Sequence, residues 1–289
     1  MKSIYTSTLL LLSVLTMSSV SHAQDASPVL EGPYLGQKPP GLTPEPFAPG
    51  IVSTKAWEAG VVFTPDMKEI YYIRKNAETK KREFVVFQNK NNRWHQSGIS
   101  PKVGQPTFSP DGKIMHLGKR YKERTATGWS ELKSLGLPFE DIRIMRLTAS
   151  LKGTYVFDEI GPAHNGDGVL RYSRLIDGNR EAPKPFGKEI NTGEWNAHPF
   201  IAPDESYIIW DGQRNSPVRN ADLYISFRQK DGSWGGAIKM DDTINTERGE
   251  YGATVTPDGK YLFFNRNVGT DNTDTFWVDA QIIEDLRPK

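Results

Sequence analysis

The sequence predicts an all-β chain folded as a ring of five similar sheets, and three repeated phrases predict it. The first is Phe63-Thr64-Pro65-Asp66-Met67-Lys68, which recurs as Phe108-Ser109-Pro110-Asp111-Gly112-Lys113, Ile201-Ala202-Pro203-Asp204-Glu205-Ser206 and Val255-Thr256-Pro257-Asp258-Gly259-Lys260. A worn copy, Leu147 to Gly153, stands between the second and third, with Ala149 taken in the place of proline. The second phrase is a polar turn before a tryptophan: Asn92-Arg93-Trp94, Thr127-Gly128-Trp129 and Gly232-Ser233-Trp234. The third is Ile190-Asn191-Thr192-Gly193-Glu194, matched by Ile244-Asn245-Thr246-Glu247. A self-similar period of roughly 45 residues whose units read as strands is the signature of a β-propeller.

Each first phrase sits between strand-like runs. Gly60-Val61-Val62-Phe63 leads in and Glu69-Ile70-Tyr71-Tyr72-Ile73 leads out. Aromatic and β-branched runs of this length suit a sheet packed on both faces. Between them, proline presets φ at the first corner, aspartate bonds back to the backbone and glycine accepts positive φ. The phrase is therefore read as the hairpin joining the first two strands of a blade. The tryptophan phrase marks the outer part of the blade, and the Ile-Asn-Thr phrase marks the return to the axis. Asp231-Gly232-Ser233-Trp234 is not an Asp-box, because Gln229 stands where a serine or threonine belongs.

The N-terminal segment predicts how the ring closes. Phe47 to Thr54 parallels Phe186 to Thr192, yet no other strands precede it. The last blade offers an inner strand, a second at 261–265 and a third at 275–279, but no fourth. Residues near 47–53 are expected to supply it, which removes a free sheet edge.

Met1 to Ala23 reads as a secretory signal: Lys2, the apolar stretch Leu9 to Leu15, then Ser21-His22-Ala23 as a cleavage site. That stretch is too short to span a bilayer comfortably. No cysteine follows it, so neither a lipid anchor nor a disulfide is expected. Residues 24–46 read as an extended arm, 47–289 as one propeller domain, and Ala280 to Leu286 as a short helical turn. The periplasm or the medium is the expected compartment. With 36 Lys and Arg against 35 Asp and Glu, nothing marks a nucleic-acid binder. Lys75 to Arg82 is basic but reads as a solvated hairpin tip.

The Ser-Pro-Asp-Gly-Lys hairpins, with Asp222-Leu223-Tyr224 and Asp274-Thr275-Phe276-Trp277, resemble the TolB-like, WD-like β-propeller repeat family over residues 45–287. The resemblance implies the fold and leaves the activity open. TolB carries a further α/β domain ahead of its propeller, for which this chain has no room, so its role in envelope assembly does not carry over.

Ligands of propellers gather at a channel mouth, where the blades converge. The residues just before each inner strand are Glu58, Gln105, Arg146, Glu194 and Glu250, with His198 following Glu194 and Trp57, Trp195 and Tyr251 beside them. These six are the expected ligand-binding set. They fit a small polar ligand, a glycan or an envelope protein. The alternative is a carbohydrate-active enzyme, a glycoside hydrolase or lyase, using Glu58, Glu194 or Glu250; it needs two carboxyls about 5–10 Å apart. Equally, such residues can cap strand ends and pair among themselves. No metal or other cofactor is expected: His95, His116, His164 and His198 are scattered, and there is no Asp-x-Asp-x-Asp loop. A Gly-x-Ser-x-Gly elbow is absent, and Gly161 to Gly168 does not match a phosphate loop.

Overall fold

The computed structural model describes residues 30–161, 168–213 and 220–289. The expected signal segment, His164 and most of the Gly161–Gly168 hairpin lie outside them. Five sheets of four or more strands succeed one another along the described residues, each antiparallel, with a small two-stranded hairpin at Leu175–Ile176 and Asn179–Arg180 beside the third. The innermost strands are Glu58–Phe63, Pro106–Phe108, Ile144–Ala149, Trp195–Ile201 and Glu250–Val255. From each, the strands run outward in sequence order, and neighbouring inner strands touch one another around the axis. The chain is a five-bladed β-propeller. Apart from a short 3-10 turn at Tyr34–Gly36, the helix content of the described residues is Gln281–Asp285, within the stretch expected for it.

The hairpins behave as their residues require. Asp66 Oδ1 accepts from Thr64 Oγ1 at 2.6 Å and from Lys68 N at 3.1 Å. Asp111 and Asp258 repeat both bonds with Ser109, Lys113, Thr256 and Lys260. In the third blade the hairpin is one residue tighter: Ser150 N donates to Thr154 O, where Thr64 N donates to Glu69 O. Ser150 thus matches Thr64, and Leu151, not Ala149, takes the place of the proline. Leu151 is 69% exposed at that end.

The Ile-Asn-Thr phrase stitches the outer strands together. Asn191 Oδ1 accepts from Leu170 N at 2.8 Å, while its Nδ2 donates to Leu170 O and Phe186 O. Asn245 does the same with Leu223 N, Leu223 O and Met240 O. Each satisfies three buried backbone groups with one side chain.

Closure follows the same plan. Glu45–Pro46 pairs antiparallel with Asn272–Asp279 as the fourth strand of the last blade. The pairing strand lies just before the expected 47–53, because the parallel with blade 3 places Phe47 one step past the strand. Phe47 N donates to Thr275 O, as Phe186 N does to Leu170 O and Met240 N to Leu223 O. Ser53 Oγ, in the place of Asn191, also donates to Thr275 O at 3.1 Å. Phe47 is fully buried between Phe263 and Trp277. Further upstream, Tyr34 and Leu35 are buried in the same cluster. Tyr34 Oη donates to Asp258 at 2.5 Å, and Trp94 Nε1 donates to Gly32 O. The segment from Leu30 therefore clasps the first blade to the last.

Candidate functional site

The matched hairpins fix equivalent positions around the axis. Counting back four residues from Thr64, Ser109, Ser150, Ala202 and Thr256 gives Gly60, Gln105, Arg146, His198 and Gly252. All five line one cavity of about 240 Å³ at the mouth opposite the proline hairpins. Glycine in blades 1 and 5 leaves the space; a long polar side chain from each of blades 2, 3 and 4 faces it. A bulge or register shift interrupts the inner strand beside this position in blades 1, 3, 4 and 5. There Gly60, His198 and Gly252 have φ of 71°, 47° and 67°. Glycine adopts this freely; histidine does so under strain.

A second ring of residues holds the bulges. Asn265 Oδ1, from the second strand of blade 5, accepts from Gly60 N of blade 1 at 2.9 Å. Asp211 of blade 4 accepts from Gly252 N of blade 5 at 3.0 Å. Asp158 of blade 3 accepts from His198 N of blade 4 at 2.9 Å, and from Met145 N and Arg146 N of its own blade. Blades 3, 4 and 5 thereby each latch the next blade around the ring. The sequence carried a signal for this that went unread: Phe157-Asp158, Trp210-Asp211 and Phe264-Asn265 place a polar residue after an aromatic at the same point of the repeat.

The electrostatics follow from these latches. Asp158 and Asp211 are almost wholly buried. Burial lifts the Asp158 carboxyl above its usual range, against its three backbone bonds. His198 Nδ1 meets Asp211 at 2.9 and 3.1 Å. Burial opposes its charge, but Asp211 and then Asp158 outweigh it, so the imidazolium is favoured above its ordinary value. Arg146 is 4% exposed, and its Nε has no hydrogen-bond partner. Burial pushes its guanidinium down to about 10, with Asp211 and Asp158 acting in the opposite sense. At neutral pH it remains charged.

Of the six expected residues, the structure brings Gln105, Arg146 and His198 together. Glu58, Glu194 and Glu250 do not line the cavity. Glu58 is buried and accepts from Thr54 Oγ1 at 2.5 Å and Thr54 N at 3.3 Å. Glu250 repeats this with Thr246 and adds Arg266 Nε at 2.8 Å. Burial raises both carboxyls in spite of these bonds. They cap the return loops. Glu194 is exposed on the loop before its strand. Trp57 and Tyr251 line the cavity and Trp195 does not. Lys102, unremarked in the sequence, stands at its rim, and so does Arg82, which was expected on a solvated hairpin tip but begins the third strand of blade 1 and stacks 4.0 Å over Trp57.

The opposite mouth is a larger cavity, about 320 Å³, ringed by Pro65, Pro110, Leu151, Pro203 and Pro257. Its walls are apolar and offer no titratable side chain but Tyr207. The charged side chains converge at the other end. Among the described residues no cluster of three metal-ligating side chains occurs, and no helix is long and apolar enough to cross a membrane.

No family model and no curated protein matches the chain. Its fold is similar to solved propellers. TolB from Acinetobacter baumannii is 15% identical at a TM-score of 0.46, over 77% of this chain and 54% of that one, so the chain spans about half the length of that protein. The gluconolactonase XC5397 from Xanthomonas campestris is 10% identical at 0.46, over 88% and 98%. The propeller domain of the Trilobed protease from Pyrococcus furiosus is 12% identical at 0.34, over 79% and 70%. These likenesses are of architecture, and the strand pairing of the chain itself establishes that it is a β-propeller.

Proposed function

We propose that the protein is an exported binding module of TolB-like repeats, which holds a small polar ligand at the channel mouth. One observation carries this reading: five equivalent positions meet at one cavity, where two are glycine and three are Gln105, Arg146 and His198. A purely structural axis would fill that space with apolar side chains, as core packing favours. Instead a buried arginine faces it with an unpartnered Nε. Glu58 and Glu250 are engaged in loop capping, so the site lacks the free carboxyl pair that glycoside cleavage needs. Export rests on the N-terminal Met1 to Ala23 pattern.

Thermal-shift screening against monosaccharides, sugar acids, phosphate and divalent cations tests the reading, since a ligand of the native state raises the melting temperature. A hit is expected to vanish in Gln105→Ala and in His198→Asn. If every hit survives both substitutions, the site lies elsewhere.

A further inference from the structure

The charges around the cavity narrow the ligand further, on the proposed reading that the cavity is a binding site. Its wall contains Arg82, Lys102, Arg146 and His198, and no aspartate or glutamate. None of Arg82, Lys102 or Arg146 forms an ion pair with a described acid within 4 Å. The nearest buried acids, Asp158 and Asp211, stand behind the wall. Asp158 is occupied by the three backbone N–H groups of Met145, Arg146 and His198. Asp211 is occupied by Gly252 N and His198 Nδ1. With the histidine protonated, the inner four charges cancel and the two rim cations remain as an excess. Three cations facing one space without a carboxylate partner repel one another; burial and then Arg82 lower the Lys102 ammonium accordingly.

We propose that this cavity binds a compact oxyanion, a carboxylate or phosphate carried on a small ligand, between Arg146 at the base and Arg82 and Lys102 at the rim. Charge-assisted bonds to a desolvated anion are about twice as strong as neutral ones, and planar guanidinium matches both anions. The Gln105 amide and the free Nε2 edge of His198 complete the set of donors. The Trp57 ring, held under Arg82, flanks the entrance as an apolar wall. The volume of about 240 Å³ lies below the range usual for drug-sized ligands, which suits a monosaccharide-sized body. The charged and titratable side chains around the anion are Arg82, Lys102, Arg146, His198 and Tyr251 on the wall, with Asp158 and Asp211 behind it. Tyr251 is held neutral by burial, so His198 governs the response near neutrality. Anion affinity rises as pH falls through the raised His198 value.

Calorimetric titration of the protein at low ionic strength, with inorganic phosphate, glucuronate and glucose, tests the assignment. Phosphate or glucuronate is expected to bind at least about tenfold more tightly than glucose, the equivalent of one charged contact. Binding of phosphate alone makes the ligand a phosphate, and of glucuronate alone a sugar acid; either supports the proposal. Arg146→Gln lowers anion affinity about tenfold, and Lys102→Gln, whose side chain is half-buried at the rim, lowers it several-fold without loss of fold. Equal affinity for glucose and glucuronate, reduced by Arg146→Gln, overturns the oxyanion and leaves the pocket standing. Anion binding that is indifferent to both substitutions, or no heat from any of the three probes, overturns both.

Discussion

His116 offers a sharp test of how this fold responds to acid. It lies on the second strand of blade 2, paired with Thr107, and is 1% exposed. Its ring packs edge-on against Tyr155 at 5.1 Å, and neither nitrogen has a hydrogen-bond partner. Burial, and secondarily the Arg180 charge, push its pKa down from 6.5 to about 3. Above pH 6.5 the histidine is neutral in both states and contributes no pH dependence. As pH falls further, the unfolded chain takes up a proton that the folded chain refuses, and stability is lost until about pH 3. Between pH 7 and pH 4.5 the loss is about 2.5 kcal/mol, from values of 6.5 and about 3. Asp158, Glu58 and Glu250 act oppositely, since burial raises their carboxyls and the folded state takes up their protons before the unfolded chain does as pH falls. A single curve would mix these contributions, so the measurement is a difference. Denaturant unfolding of the protein and of His116→Leu, at pH 7 and pH 4.5, isolates the histidine. The wild type is expected to lose about 2.5 kcal/mol more than the variant over that interval. Parallel losses in the two proteins would refute the claim that His116 is buried neutral and unpartnered.

Ring closure rests on Phe47, fully buried against Phe63, Phe263 and Trp277. Phe47→Ala should cost about 3–5 kcal/mol in chemical denaturation. Removal of residues 24–54 should abolish cooperative melting in calorimetry, because the last blade then loses its fourth strand. Asn245→Ala leaves the buried Leu223 N–H and the Met240 carbonyl unpaired, while Leu223 O keeps its bond from Met240 N, and should destabilise by about 2–6 kcal/mol in urea, at about 1–3 kcal/mol per orphaned group. Glu250→Gln weakens a pair with Arg266 at 2.8 Å and should cost about 1–3 kcal/mol of stability, while calorimetry finds anion binding unchanged.

The sequence announced the hairpins because turn chemistry is local: Pro-Asp-Gly must turn wherever it stands. It announced the blade count for the same reason, and the parallel of Phe47 to Thr54 with Phe186 to Thr192 announced closure within two residues. The site was legible in part. Gln105, Arg146 and His198 lie at one register, whereas Glu58 and Glu250 stand two residues earlier and Glu194 four. Charge drew attention to the glutamates. A bulge decides which residue turns inward, and one inserted residue redirects the side chains around it. That insertion depends on Asp158, Asp211 and Asn265, which reach across from neighbouring blades. Blade 3 hid its register as well, since its hairpin is a residue short and has lost its proline.

His198 joins the two themes of strain and charge. It adopts a φ of 47° where blades 1 and 5 use glycine, a conformation that costs a side-chain-bearing residue about 1–3 kcal/mol. A strained residue persists when the surroundings over-determine it, and here Asp158 holds its N–H while Asp211 holds its Nδ1. Its raised folded pKa means that its contribution is fully present below pH 6.5 and fades as pH rises through the folded value. His116 and His198 therefore shape the stability curve in separate windows, one below the ordinary histidine value and one above it. His198→Asn tests the second window, because asparagine tolerates positive φ without titrating. The variant should lose the decline in stability above pH 6.5 while keeping the acid limb set by His116. If that alkaline decline persists unchanged in the variant, the proton does not reside on the ring that Asp211 holds, and the pH response assigned to the cavity fails with it.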